Sequence, residues 1–379
     1  MLAARMLREA ASMTTQITGE VIPSDKPGCL SFTLRQPAGV CVGMAPWNAP
    51  VILGTRALAM PLACGNTVVL KASETCPATH RLIGSVLAEA GLPKGVVNVL
   101  THAPADAAAV VEALIAHPAV KRINFTGSTR VGRIIAQTAA RYLKPVLLEL
   151  GGKAPLIVLD DADLDAAVDA AIFGAFLNQG QICISTERII VDQAIADLFV
   201  EKLSARAKAL RAGNPPDAVV LGSMVDAAAA EKVEGLLRDA IAKGATIVAG
   251  GERVGTIMQA TLVDGVTKAM RIYHEESFGP AKSIIRVDGI EAAIEVANDT
   301  EYGLAAAVFG RDVRRALGVA QRIASGICHI NGPTVADEPQ APFGGLKGSG
   351  YGRFGGKAAI AEFTHLRWIT IEGEQHYPF

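Results

Sequence analysis

From residue 38 onward, short apolar runs alternate with longer stretches whose apolar side chains recur at helical spacing. The run Gly39-Val-Cys-Val-Gly-Met44 predicts a buried strand, and Pro50 to Cys64 predicts a helix opened by proline. Strands follow at Asn66–Leu70, Val96–Leu100, Val120–Phe125 and Val146–Leu150. Helices fall between them at Cys76–Ala90, 104–116 and Thr129–Tyr142. Strands separated by helical stretches of 10–15 residues imply βαβ units and a parallel sheet with ligand beyond the strands' carboxyl ends. A second series begins after Gly151-Gly152, with a strand at Ala154–Leu159. A helix then carries Leu164, Val168, Ile172 and Phe176 on one face. Another helix runs over 194–212, with Gly213-Asn-Pro-Pro216 as its stop. The segment 19–37 reads differently, as a hairpin of two short strands about a Pro/Gly turn, and Arg367–Ile371 reads as a further strand.

Composition narrows the field. Hydrophobic residues make up 50% of the 379 and charged residues 19%, which excludes a disordered or solvated low-complexity chain. The formal net charge is −1, so no electrostatic footprint for nucleic acid or an anionic membrane arises. No apolar run has the length of a membrane span. Six scattered cysteines without a CxxC pair imply neither a disulfide framework nor a zinc site, and a reducing cytoplasm is the simplest compartment. The start, Met1-Leu-Ala-Ala-Arg-Met-Leu-Arg8, alternates basic and apolar residues. It lacks the apolar core and cleavage site of a leader, so an amphipathic helix is expected.

Five segments carry candidate chemistry. Cys183 follows a small polar turn, Asn178-Gln-Gly-Gln-Ile-Cys183, which can expose a thiol near backbone N–H donors. Glu149 ends an apolar strand before Gly151-Gly152, where burial would raise a carboxylate toward a working base. Asn48, in Pro46-Trp-Asn-Ala-Pro50, is either a helix N-cap or an amide donor to an oxyanion. Lys71 and Glu74 end the next strand and can bond a ribose, or they are plain surface charges. Gly127 and Ser128 open a helix whose free N–H groups suit a phosphate. No histidine stands in a motif that would make Cys183 a hydrolase nucleophile.

Together these segments resemble the aldehyde dehydrogenase superfamily over about residues 5–372. Glu275-Glu-Ser-Phe-Gly-Pro280, Asn298–Leu304 and Pro342-Phe-Gly-Gly-Leu-Lys-Gly-Ser-Gly350 belong to the same resemblance, and Leu148–Lys153 with Gly180–Cys183 are its two signatures. The stretch 329–340, with Gly352-Arg-Phe-Gly-Gly356, is most similar to the salicylaldehyde, vanillin and benzaldehyde dehydrogenase branch. The resemblance implies an α/β fold of two Rossmann-like parallel-sheet domains plus a small oligomerisation hairpin. It implies a cofactor domain at 1–18 and 38–150, a catalytic domain at 151–350 and a C-terminal return segment at 351–365. Oligomerisation strands are implied at 19–37 and 366–377, hence a homodimer or homotetramer. It also implies a family start roughly 100 residues further upstream, about the size of a small domain.

By the same resemblance, Cys183 is the nucleophile toward an aldehyde. Asn48 and the Cys183 backbone N–H hold the oxyanion, and Glu149 activates the water that hydrolyses a thioester. Lys71 and Glu74 hold the adenosine ribose. A carboxylate at 74 repels the extra phosphate of NADP, so NAD is the expected cofactor. Gly127 and Ser128 match the pyrophosphate turn, and Glu276 and Phe278 the nicotinamide ribose and ring. Trp47 lines the substrate tunnel and cofactor crevice. Phe176 and Val335 either touch substrate or pack in the core. The expected reaction is oxidation of an aromatic aldehyde. The alternatives are an aliphatic or semialdehyde substrate, or an inactive fragment.

Overall fold

The structure is a computed structural model that describes residues 1–214 and 217–379. The chain divides into two compact units. The first comprises residues 1–148, 338–343 and 352–379; the second comprises 149–337 and 344–351.

In the first unit, helix α1 (Leu2–Met13) buries Met6 and Ala10. Strands β1 (Val21–Ile22) and β2 (Leu30–Pro37) pair antiparallel. The C-terminal strand Thr364–Ile371 pairs with β2 along its whole length, from Thr364 opposite Pro37 to Ile371 opposite Leu30. The main sheet contains β3 (Val40–Met44), β4 (Thr67–Lys71), β5 (Val97–Leu100), β6 (Val120–Thr126) and β7 (Val146–Glu149), in the order β7-β6-β3-β4-β5. Cys41, Val42, Val68, Leu70 and Ile123 are fully buried, as a parallel sheet covered on both faces requires. The intervening helices are α2 (Pro50–Ala63), α3 (Pro77–Glu89), α4 (Ala107–Ala116) and α5 (Thr129–Arg141). From β3 the chain steps outward to β4 and β5, then returns to place β6 on the other side of β3. That reversal makes the carboxyl ends of β3 and β6 a topological switch point.

In the second unit, β8 (Ala154–Val158), α6 (Leu164–Phe176), β9 (Thr186–Asp192), α7 (Ala196–Lys208) and α8 (Ala227–Ala242) come first. They are followed by β10 (Thr246–Ala249), the ribbon β11 (Arg253–Val254) and β12 (Ile257–Met258), and β13 (Thr261–Asp264). After these come α9 (Arg271–His274), β14 (Ala281–Val287), α10 (Gly289–Asn298), β15 (Ala305–Phe309), α11 (Val313–Ala320) and β16 (Ile327–Ile330). The seven-stranded sheet runs β10-β13-β14-β9-β8-β15-β16, parallel except for β10. Alternation sorts its side chains. Leu156, Ile189 and Phe309 face α6 and α7, while Ile157, Ile190, Ile285 and Val308 face α8, α10 and α11. Asp163, Asp226 and Asp312 cap α6, α8 and α11 by accepting backbone N–H groups.

Three expectations shift. The helix expected over 194–212 ends at Lys208, and its expected stop lies partly outside the described residues. Residues 338–343, expected within 151–350, belong to the first unit. There Phe343 and Phe354 exchange backbone hydrogen bonds at 2.8 Å, and the Arg56 guanidinium stacks over Phe343 at 4.1 Å. Asn48 is not a helix N-cap: Ala49 holds that position, with Pro50 in the first turn.

Candidate active site

The switch point of the first unit opens into a pocket of about 480 Å³. Trp47, after β3, lines it. So do Lys71 at the end of β4 and Glu74 beyond it, and Phe125 in β6 and Gly127 beyond it. Its far wall is apolar, from Ala107, Val111, Ile134 and Ile135. Lys71 Nζ donates to Glu74 Oε1 at 2.6 Å, and His102 Nε2 lies 3.2 Å from the same oxygen. Burial pushes the Glu74 carboxyl up. The Lys71 hydrogen bond, a local backbone bond and the Lys71 and His102 charges outweigh that, so the group lies below the ordinary carboxylate range. A side chain at Gly127 would meet the Phe125 ring at 2.4 Å, so that turn accepts only glycine while the ring stays in place. Ser128 is exposed and caps α5, its hydroxyl accepting the Val131 N–H at 3.4 Å. The helix's first N–H groups therefore face an open, electropositive end. An apolar slot flanked by a ribose-spaced Lys–Glu pair and a helix N-terminus fits a dinucleotide's adenosine half and pyrophosphate.

His80 is a residue the sequence reading missed. It is fully buried on α3, and its Nδ1 accepts the Ser73 N–H at 3.0 Å, which holds the loop between Lys71 and Glu74 in shape. Burial pulls its pKa below the ordinary value, so the ring stays neutral. No local motif marks such a residue, because its partner is set by how α3 packs.

In the second unit Cys183, Glu276 and Phe278 stand at the amino ends of β9 and β14, while Glu149 stands at the carboxyl end of β7. Glu149 is fully buried and closes β7, and Gly151 and Gly152 lead into β8. Cys183 is half-buried in the turn before β9, and Glu276 and Phe278 precede β14. Gly152 brings the turn after Glu149 against the turn that carries Cys183: a side chain there would meet the Cys183 carbonyl oxygen at 2.2 Å. The Gly152 N–H donates to Glu276 Oε1 at 2.8 Å. Burial pushes the Glu276 carboxyl up to about 7, against the pull of that hydrogen bond.

The approach to Cys183 is strained. Asn178, Gln179 and Gly180 all take left-handed backbone, with φ of 51°, 57° and 69°. Each of the two non-glycine residues costs roughly 1–2 kcal/mol in that region. The strain persists because Ser185 Oγ donates to the Gly174 carbonyl at 2.9 Å, and Gln181 Oε1 accepts the Val225 N–H at 2.9 Å. Phe176 is 2% exposed within the apolar core, whereas Phe173 and Leu177 on the same stretch are exposed. Phe176 therefore packs in the core of the second unit. Val335 is half-buried beside Thr334, whose hydroxyl pairs with Thr186 at 2.8 Å. Among the described residues no group of three or more His, Cys, Asp or Glu could hold a metal, and no helix is long and apolar enough to cross a membrane.

Comparison with known proteins then supplies a frame for this geometry. The sequence model described as the aldehyde dehydrogenase family matches residues 1–369. A vanillin dehydrogenase from Pseudomonas fluorescens is 66% identical over 379 residues, covering 100% of this chain and 79% of that protein. A benzaldehyde dehydrogenase (NAD⁺) from Pseudomonas putida is 41% identical over 382 residues, covering 100% of this chain and 78% of its own. The crystal structure of a salicylaldehyde dehydrogenase from Pseudomonas putida G7, complexed with salicylaldehyde, superposes with a TM-score of 0.98 at 55% identity. It covers 100% of this chain and 79% of that one.

Proposed function

The chain belongs to the aldehyde dehydrogenase family and is an oxidoreductase, and on that premise we propose that it oxidises aromatic aldehydes to carboxylic acids with NAD. The observation that carries the substrate class is the 66% identity to a vanillin dehydrogenase along the whole of this chain. The pocket at the switch point supports the cofactor. Lys71 and Glu74 hold the adenosine ribose, and the carboxylate at 74 repels a 2′-phosphate, which favours NAD over NADP. Gly127 and the start of α5 at Ser128 take the pyrophosphate. Trp47 lines the crevice, and Glu276 and Phe278 hold the nicotinamide ribose and ring.

Cys183 is the nucleophile. Its thiolate adds to the aldehyde carbon, and the new oxyanion takes hydrogen bonds from the Cys183 backbone N–H and the Asn48 side-chain amide. NAD, when bound, supplies the acceptor for the hydride that leaves this adduct, which leaves a thioester on Cys183. Glu149 takes a proton from the water that attacks the thioester, and the acid and the free thiol are released. A half-buried thiol on a strained turn, next to the Gly-Gly turn that follows a buried carboxylate, suits this division of work. The sheet of β1, β2 and the C-terminal strand exposes Val21, Leu34, Leu366 and Trp368, which suits assembly into a homodimer or homotetramer in the cytoplasm.

The test is NADH formation by the purified chain with vanillin, salicylaldehyde, benzaldehyde, succinic semialdehyde and acetaldehyde. Preference for the aromatic three supports the reading. Preference for a semialdehyde or acetaldehyde replaces the substrate class, and no signal with any of them overturns the activity.

A further inference from the structure

Three segments with assigned chemistry, 149–153, 183–187 and 276–282, converge on one buried ion cluster that the proposed mechanism does not use. Its centre is Glu187, 2% exposed. Glu187 Oε2 accepts from Lys153 Nζ at 2.6 Å and from the Ser277 N–H at 2.9 Å. Oε1 accepts from Ser277 Oγ at 2.6 Å and from Lys282 Nζ at 3.0 Å. Lys153 is 1% exposed and Lys282 is fully buried. Lys153 stands four residues after Glu149, Glu187 four after Cys183, and Ser277 between Glu276 and Phe278.

The strand register explains why one carboxylate reaches all three. Ala154 lies opposite Thr186, but Pro155 lies opposite Arg188, so the pairing of β8 with β9 skips Glu187. On the other side Arg188 lies opposite Ser283 of β14, which brings Lys282 level with Glu187. An irregularity of this kind re-aims a side chain at the edge of a functional site. Burial alone would push the Glu187 carboxyl up, yet the two ammonium groups and Ser277 hold it down at about 2. Other charged groups face the cluster: Arg188 on β9, Glu276 before β14 and Lys232 on α8.

Stability does not explain such a cluster, since well-packed apolar side chains of similar volume commonly do as well or better. Its placement does explain it. Lys282 Nζ lies 2.9 Å from where a side chain on Gly180 would begin, so its ammonium stands behind the turn that carries Cys183. Burial pulls Lys153 below its ordinary value, and Glu187 is shared between the two lysines, so the Lys282 charge beside that turn is only partly offset.

We propose that Glu187 and Lys282 are a positioning pair: Glu187 clamps the turns around Cys183, Gly152 and Ser277 to one another, and the Lys282 ammonium favours the charged form of the Cys183 thiol. This rests on the reading of Cys183 as the nucleophile. The test follows alkylation of Cys183 by iodoacetamide, read at its own peptide by mass, across pH in the cofactor-free full chain. Thermal unfolding is measured beside it. Lys282→Met should raise the alkylation midpoint by about half a pH unit or more, and Lys282→Arg should restore it. Glu187→Gln should leave two buried ammonium groups without their carboxylate, lower the midpoint, and reduce NADH turnover about tenfold or more. A role in stability alone would lower the unfolding temperature of Lys282→Met and leave its midpoint at the wild-type pH. That result, or a Lys282→Arg midpoint displaced as far as that of Lys282→Met, overturns the proposal. If Glu187→Gln does not fold, the two Lys282 variants decide alone. Cys183→Ala separates the premise: NADH turnover that persists in that variant refutes the nucleophile, not the pair.

Discussion

His80 shows how a residue remote from any chemistry can shape a binding loop. Its neutral ring receives the Ser73 N–H, and burial lowers its pKa. The unfolded chain therefore binds a proton here more readily than the folded one. The stabilisation is complete above the ordinary value of 6.5 and is lost as pH falls below it. Thermal unfolding from pH 7 to 5 should show a larger drop for the wild type than for His80→Gln, and equal drops would refute this. The neighbouring Glu74 makes a separate prediction. Glu74→Ala removes a charged acceptor, so the KM for NAD should rise roughly ten- to hundredfold while NADP loses its handicap. A kinetic comparison of the two cofactors checks it. For Glu149→Gln, an initial burst of NADH should survive while steady-state turnover falls roughly 10²- to 10⁴-fold, since only the water step loses its base. Stopped-flow absorbance separates the two phases. Glu74 and Lys71 were legible in the sequence because their partner lies three positions away. Glu187 was not, because its partners arrive from two other strands. Phe176 was ambiguous, since helical spacing names a face without saying what covers it.

Elements are positioned by glycines as much as by cores. The turn after Glu149 and the turn before β9 touch at Gly152, with 2.2 Å from an added Cβ to the Cys183 carbonyl oxygen. Backbone cannot yield there as a flexible side chain would. Gly152→Ala should therefore lose most NADH turnover and unfold at lower temperature, with a destabilisation on the order of 1–3 kcal/mol. A variant that keeps both properties would show that the two turns move independently. The alternation of strands and helices was plain in the pattern of apolar runs, and most strand ends fall within a residue of expectation. What the pattern did not carry was which end of each strand would hold the chemistry. Parallel α/β sheets place ligands beyond carboxyl ends, and the pocket of the first unit opens at that end. The second unit collects Cys183 and Glu276 at amino ends, a choice made by loops whose conformation rests on left-handed residues such as Asn178 and Phe278.

At the scale of the whole chain, two features were not visible in local pattern. Segment 338–343 leaves the second unit for the first, tied by Phe343, Phe354 and Arg56. The final strand also closes a sheet begun near the start: Trp368 Nε1 donates to Ser31 Oγ at 2.8 Å, and Lys26 pairs with Glu372 at 2.7 Å. Deleting residues 364–379 should strip β2 of its long partner and leave a bare edge. Size-exclusion chromatography should then show aggregated protein in place of a discrete oligomer, and an unchanged profile would refute that role for the strand. The same pairing bears on synthesis. Residues 30–37 are made well before residues 364–371, their partner along the whole strand. During that interval β2 has only the two-residue β1 beside it, and its other edge closes across nearly the full chain, the slowest kind of contact to form. What shields that edge during translation therefore bears on how much folded protein is recovered.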